Sequence, residues 1–424
     1  MSEIPALLDH LFRRQASQIV SSLTRAIGAR HLALAEEAVQ DALVRALQQW
    51  PYRGIPDDPA AWLFRVARNR ALDRLRHQQV VDEKADVLVA AFGSPGTVTP
   101  EEVVLAHEAP PVEDDQLGMM FMTCHPALPR ETRVALTLKI VGGFSVGEIA
   151  RAFLMQESAV AQRLVRAKRL LRDRDVQFGA PASDEIAERL DSVLEAIYLT
   201  FNEGYAATAG NALVRDDISA EAIRLAMLVT KPPLTRVPRA WALLALLLLH
   251  AARFPARVSL EGELFLLRDQ DRSKWDRSLM SEGLRALEHA AAGDAISTYH
   301  LEAEIAACHA MAPSWTDTDW RRIASCYDDL YALTASPIVG LNRAIARSRL
   351  AGPLAALGEL EPIAGDPALA TYALLPAVLA ELWREAGDVD RAAAYYRSAL
   401  VLTGSAPERR HLARRLAGLE GGRQ

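Results

Sequence analysis

Side chains that can read nucleic acid recur at helical spacing in two stretches of the chain. In the first, Asp58 can accept hydrogen bonds from the free amides of a first helical turn, and Pro59 suits the first helical position. Arginine suits phosphate contact, and an amide side chain both donates and accepts, as recognition of a base edge requires. The same pattern also fits a solvated surface helix. The candidate DNA-binding residues on the wetter faces of this helix are Arg65, Arg68, Asn69 and Arg76.

The second stretch runs from Gly143 to Arg172. The capping box Ser145-x-x-Glu148 predicts the start of one helix, and after a short break a second helix begins near Ser158. Helix, short turn and helix is a DNA-binding arrangement, although a basic helix in an ordinary bundle is the alternative. The predicted buried stripe is Val160, Leu164, Ala167 and Leu171. The predicted outward residues, of types that bind base edges or phosphates, are Gln162, Arg163, Arg166, Lys168 and Arg169.

Catalytic chemistry has little support in the sequence. The adjacent pairs Cys124-His125 and Cys308-His309 cannot easily face one site on a helix, and no Gly-rich phosphate loop, HExxH or GxSxG motif occurs. The acidic residues near Trp275 are expected to connect loops to helix ends rather than to catalyse: Glu263, Asp269, Asp271 and Asp276. We therefore expect a protein that is not an enzyme, with no cofactor and no metal site.

The charge distribution separates the 424 residues into segments. The net charge of the whole chain is −6, but two segments are basic. Residues 1–80 contain 11 Lys and Arg against 8 Asp and Glu, and residues 118–176 contain 10 Lys and Arg against 5 Asp and Glu. Between them, residues 81–117 hold 1 basic against 9 acidic residues, with several Gly and Pro. We therefore predict two basic domains, 1–80 and 118–176, joined by a flexible acidic linker, 81–117. Such an asymmetry is typical of nucleic-acid-binding proteins.

The rest of the chain, 183–424, is expected to form a separate helical unit, so the predicted fold class is all-α. The apolar stretch Ala240–Ala252 is too short for a membrane span and predicts a buried core helix. One small hairpin is possible over Arg257–Leu267, turning at Glu261-Gly262. Three scattered cysteines and the absence of a secretory signal pattern suggest a soluble protein of a reducing cytoplasm, with no membrane partner.

Residues 338–417 carry a helical-repeat pattern. Small and aromatic residues occupy tetratricopeptide spacing, and Leu341–Ile363 is the most plausible degenerate partner repeat. An ordinary helical hairpin is the alternative. The residues of this pattern are Ala380, Trp383, Gly387, Ala392, Tyr396 and Ala399.

Upstream of the first basic helix, Ala35–Leu47 forms an amphipathic helix whose polar side includes Glu36, Glu37, Gln40 and Asp41. It is either a plain surface helix or one that docks a basic partner helix, and the sequence alone does not choose.

Taken in order, these motifs resemble bacterial extracytoplasmic-function sigma factors with a long C-terminal, tetratricopeptide-like extension. The segment AEEAVQDALVRAL resembles the family's helix that docks on the clamp of RNA polymerase. The segment WLFRVARNRALDRLR resembles the family's promoter −10 segment. The family's helix-turn-helix that reads the promoter −35 element is similar to GFSVGEIARAF…SAVAQRLVRAKRLLR. The resemblance covers about residues 5–176. FNEGY at Phe201–Tyr205 and LRDQDRSKWDR at Leu267–Arg277 further resemble the extension of one subgroup.

The resemblance implies partners and roles. Core RNA polymerase, through its clamp and flap, and promoter DNA would be the partners, with Gln40 and Asp41 touching the clamp. The loop Tyr52–Asp57 would help to hold a flipped base, and the acidic linker would thread the polymerase channel. Ala159–Arg163 departs from the family's usual residues, which leaves the −35 preference open.

The extension would regulate the factor by binding a ligand, a regulatory protein or the sigma domains. The alternative is a helix-turn-helix regulator with a helical-repeat sensor domain that binds DNA without polymerase.

Overall fold

The computed structural model describes residues 3–89, 113–153, 155–181, 185–205, 216–257, 259, 265–293, 295–370, 372–404 and 406–421. These residues fold into α-helices and short 3-10 turns, with no β-strand among them, which confirms the all-α prediction. The turn of the expected hairpin, Glu261-Gly262, lies outside the described residues. The chain divides into two compact units, Met1–Leu199 and Thr200–Gln424.

The first unit begins with three helices, α1 (Glu3–Ile27), α2 (Leu32–Arg53) and α3 (Pro59–Val89). Asp58 caps α3 as expected, because its Oδ1 accepts from the Ala61 amide at 2.9 Å. Alanines and leucines at spacings of three and four form the core where the three helices meet. The fully buried members of this core include Ile19, Leu23, Ala35, Ala42, Leu63 and Ala67.

Four further helices follow: α4 (Glu113–Thr123), α5 (Arg130–Ile140), α6 (Val146–Ala152) and α7 (Glu157–Asp173). Helix α3 continues to Val89 and α4 starts at Glu113, so helix occupies both ends of the segment expected to be linker. Helix α4 packs on α1. There the buried Asp115 accepts from the Ser22 hydroxyl at 2.6 Å and lies 3.0 Å from Arg25 Nε. Charge composition alone did not indicate that this carboxylate is buried and paired.

Helix α8 (Ile186–Tyr205) was expected to open a separate C-terminal unit, but its first residues belong to the first compact unit. Arg189 donates to the Phe121 carbonyl at 2.8 Å, and Arg133 pairs with Glu195 at 3.2 Å. The beginning of the extension therefore packs against α4 and α5.

The second unit contains α9 (Asp216–Thr230), α10 (Pro238–Ala251), α11 (Arg277–Ala290) and α12 (Thr298–Met311). Helix α10 packs against α9, α11 and α12, and nearly all its apolar side chains are buried. By length and composition, Pro238–Ala256 is the one segment among the described residues that could cross a membrane, but 67% of it is buried inside the protein. This confirms the predicted core helix.

The chain ends in a sequential stack: α13 (Trp320–Thr334), α14 (Pro337–Ala351), α15 (Pro353–Leu360), α16 (Leu374–Glu385), α17 (Val389–Leu402) and α18 (Ala406–Gly421). Each helix packs on the next, as in a repeat solenoid. Gly387 turns between α16 and α17 with φ +86°, a conformation that favours glycine. Tyr396 is buried at their interface, whereas Trp383 is half-buried, with the Arg391 guanidinium 4.3 Å from its ring centre.

Candidate nucleic-acid and polymerase interface

The acidic side of α2 docks on α3, which answers the question that the sequence left open. Asp41 pairs with Arg70 and Glu37 pairs with Arg74, both at 2.7 Å. The acidic residues are one turn apart on α2 and the arginines one turn apart on α3, so the two pairs form a short ladder. This ladder neutralises the arginines on one side of α3.

The other side of α3 keeps its cations and its amide. Arg65 and Asn69 are exposed and form no ion pair or hydrogen bond with any described residue. Arg76 is exposed, and its ion pair with Asp73 is long, at 3.8 Å. Residues 65, 69 and 76 differ by four and seven positions, so they lie along one face of the helix. Arg68 borders this face, and its buried Nε has no hydrogen-bond acceptor among the described residues.

Aromatic residues lie near the start of this helix. Tyr52, in the last turn of α2, is 90% exposed. Trp62 is half-buried and packs edge-on against the buried Trp50, with ring centres 5.5 Å apart, which fits a packing role. An exposed tyrosine ring can stack on an unpaired base, and sequence analysis had singled out its loop but not the ring itself.

The helix-turn-helix is formed as the sequence predicts. Ser145 Oγ accepts from the Glu148 amide at 3.1 Å, and Glu148 Oε2 accepts from the Ser145 amide at 2.8 Å, which completes the capping box at α6. The stripe predicted for α7 is buried as expected. Its residues are Val160, Leu164, Ala167 and Leu171.

The outer face of α7 presents two unpaired polar residues. Gln162 and Arg166, one turn apart, are exposed and form no ion pair or hydrogen bond within the described chain. Arg169, on the same face, is exposed and pairs with Asp173 at 3.3 Å, whereas Arg163 is half-buried beside Glu131 at 3.5 Å. Gln162 and Arg166 are therefore the side chains most ready to contact base edges.

Lys168 lies on a different side of α7 and contacts the N-terminal domain. Its Nζ is 2.8 Å from Glu36 Oε2, and the Glu36 side chain is only 11% exposed. Beside this pair, a cavity of about 240 Å³ separates α2 from α5 and α6, and Gln40 lies in its wall. Sequence analysis missed this contact because its partners are 132 residues apart.

Three of the side chains considered for catalysis have structural surroundings, and Glu263 lies outside the described residues. Asp271 and Asp276 cap helical turns, accepting from the Ser273 and Ser278 amides. Burial raises the pKa of the Cys124 thiol to about 11, against the lowering effect of its Thr137 hydrogen bond. Among the described residues, no group of three or more His, Cys, Asp or Glu side chains could hold a metal ion.

Two variants distinguish a structural role of Asp41, in docking α2 on α3, from a role in binding polymerase. We expect Asp41→Ala and Arg70→Ala to lower the free energy of unfolding equally, by about 0.5 kcal/mol, because both break the same half-exposed ion pair. If Asp41 also contacts polymerase, Asp41→Ala alone weakens binding to core polymerase. Equal binding by both variants would assign Asp41 to α2–α3 docking only.

Comparison with protein families divides the chain in the same order. Residues 11–80 match sigma-70 region 2, and residues 118–171 match sigma-70 region 4. Residues 189–291 match a family of unknown function, DUF6596. The two sigma matches contain most of α3 and nearly all of the helix-turn-helix.

The chain is 41% identical to an uncharacterized protein of Rhizobium meliloti, over 81% of this chain and 82% of that protein. It is 30% identical to the ECF RNA polymerase sigma factor SigL of Mycobacterium tuberculosis, over 39% of this chain and 88% of SigL. It is also 30% identical to the probable RNA polymerase sigma factor RfaY of Xanthomonas campestris, over 35% of this chain and 36% of RfaY. No solved structure matches the chain.

Proposed function

The chain belongs to the sigma-70 family, as an extracytoplasmic-function-type sigma factor with a C-terminal extension, and we propose that it directs core RNA polymerase to promoters under the control of that extension. The observation that carries this proposal is the pairing, in one compact unit, of the open face of α3 with the helix-turn-helix of α6 and α7. A conventional DNA-binding regulator needs only the helix-turn-helix. Transcription initiation places its action in the cytoplasm.

Each predicted site residue receives a role in this proposal. The α3 face engages −10 DNA, where unstacked bases are captured, and Tyr52 is positioned to stack on one of them. The outer face of α7 reads the −35 element through Gln162 and Arg166. Gln40 and Asp41 contact the polymerase clamp. The remaining DNA-binding residues act chiefly on phosphates: Arg65, Arg68, Arg76, Arg163, Lys168 and Arg169.

Control by the extension has a physical route through α8. Its first turns are joined to α4 and α5 by Arg189 and by the Arg133–Glu195 pair. A change in the extension that moved α8 would therefore act on the domain that reads the −35 element.

The Lys168–Glu36 pair joins region 4 to region 2, in addition to the packing of α4 on α1, and we infer that promoter binding must open this contact. Elements at −10 and −35 lie about 25 base pairs apart, or roughly 85 Å along B-DNA. Helix α7 contacts α2, which packs on α3, and packed helix axes are about 8–10 Å apart, so α3 and α7 lie on the order of 20 Å apart. The two helices cannot reach both elements in this arrangement.

Glu36→Gln is expected to increase binding to promoter DNA severalfold, because it releases Lys168 while leaving all DNA-contacting residues intact. The measurement is the affinity of holoenzyme for a promoter fragment at fixed salt. Glu37→Gln is the matched control, since Glu37 pairs with Arg74 inside region 2. A decrease with Glu36→Gln, or equal increases with both variants, would contradict the opening step.

The decisive test of function is binding to core polymerase at physiological salt. The full chain, a 1–205 fragment that keeps α8 and a 1–181 fragment that removes it are compared. Tight binding and promoter-directed transcription are the expected results, and a difference between the two fragments would assign control to α8. If no form bound core polymerase while all bound duplex DNA, the protein would instead be a helix-turn-helix regulator acting without polymerase.

A further inference from the structure

The C-terminal repeat encloses a cavity of about 430 Å³, a size typical of small-molecule sites. Its walls come from α12, α13, α14, α16, α17 and α18, and the segment 266–268 closes one side. Four aromatic rings contribute to the wall, together with aliphatic side chains of α14 and α16. These aromatic residues are Trp315, Trp320, Tyr327 and Tyr396.

Each charged group of the wall already has a partner. Glu381 accepts from the Tyr396 hydroxyl and from Arg268 at 3.2 Å. Arg349 pairs with a neighbouring glutamate at 3.1 Å, and Glu408 accepts from a threonine hydroxyl at 2.8 Å. The wall thus contains two arginines and two glutamates with balanced charge, so a charged ligand would find no unpaired counter-ion.

A buried histidine also belongs to the wall and carries no charge. His309 is only 9% exposed. The ring lies parallel to Trp315, with centres 6.1 Å apart, and edge-on to Trp320 at 5.3 Å. Burial, reinforced by Arg253 and Arg272, lowers the pKa of His309 to about 3, so the imidazole is neutral.

We propose that this cavity binds an uncharged, aromatic small molecule. The aromatic wall supplies apolar contact, and the balanced charges and the neutral His309 offer no counter-ion to a charged ligand. Only the regulatory consequence, that this ligand is the signal read by the extension, rests on the proposed sigma function.

The test uses the full chain and N-phenyl-1-naphthylamine, a neutral aromatic amine whose fluorescence increases in apolar surroundings. We expect saturable binding at one site per chain, measured by fluorescence and equilibrium dialysis. Ala377→Trp fills the cavity and should weaken binding at least tenfold. Ala394→Trp, on the exposed side of α17, is the matched control and should leave binding unchanged.

A second pair of variants covers the case in which Ala377→Trp fails to fold. Leu374 is 42% exposed and lines the cavity, so Leu374→Glu should weaken binding severalfold. Leu350 is 52% exposed and lies outside the cavity lining, so Leu350→Glu should leave binding unchanged. No saturable binding, or equal binding by the cavity variants and their controls, would overturn the proposal.

These binding measurements need no polymerase, so their failure leaves the proposed sigma function standing. Conversely, if the chain binds the probe but fails to bind core polymerase, the ligand site is supported and the proposed sigma function is contradicted.

Discussion

Arg166→Ala is expected to reduce promoter-directed transcription about tenfold, because one bidentate contact to a base typically contributes about 1–3 kcal/mol of discrimination. Arg166 is exposed on α7 and forms no ion pair or hydrogen bond within the described residues, so its removal should not disturb the fold. The measurement is in vitro transcription with purified core polymerase and the variant factor.

Arg172→Ala provides the contrast for this prediction. Arg172 is exposed in the last turn of α7, beside Asp173, and is better placed for a phosphate. Its loss should lower affinity on all sequences alike and reduce the slope of log K against log salt by about 0.9. Arg166→Ala should instead relax the preference at one base pair of the −35 element. The same sequence-independent loss for both variants would contradict base reading by Arg166.

Glu381→Ala is expected to destabilise the C-terminal repeat by about 3 kcal/mol, because it leaves clustered cations without their shared carboxylate. Glu381 is 20% exposed and lies within 3.2 Å of Arg268, Arg384 and Arg415 side-chain nitrogens. Urea unfolding followed by tryptophan fluorescence measures the loss. Glu420→Ala is the control, since its pair with Arg397 is half-exposed and should contribute at most about 1 kcal/mol. Equal losses would contradict a central role for Glu381.

The same carboxylate predicts a pH dependence. Burial by itself raises the pKa of Glu381, but the Tyr396 hydrogen bond and the Arg268 and Arg384 guanidinium groups outweigh it and lower the pKa below 4.5. The ionised form therefore stabilises the native state fully above pH 4.5, and this contribution is lost as the pH falls through the lower folded pKa. Glu381→Gln should flatten that part of the stability curve, and an unchanged curve would contradict the assignment.

Local features were predictable because short-range physics determines them. The α3 cap, the capping box at α6, the buried stripe of α7 and the core helix α10 all follow from side chains a few residues apart. The helical-repeat pattern around Gly387 was predictable for the same reason. Helix ends near the acidic segment were not, because Asp115 is helical and buried through partners on α1 rather than through its own neighbours.

By itself, the sequence determined the all-α class, the order of the basic domains and the candidate residues for DNA contact, since these depend on composition and helical period. Only the tertiary structure decided which of them are paired. It paired Asp41 with Arg70 and Lys168 with Glu36. It also packed α8 against α4 and α5. It also formed a cavity that is lined by residues of six helices. Such pairings join positions tens to more than a hundred residues apart, and helical periodicity carries no information at that range.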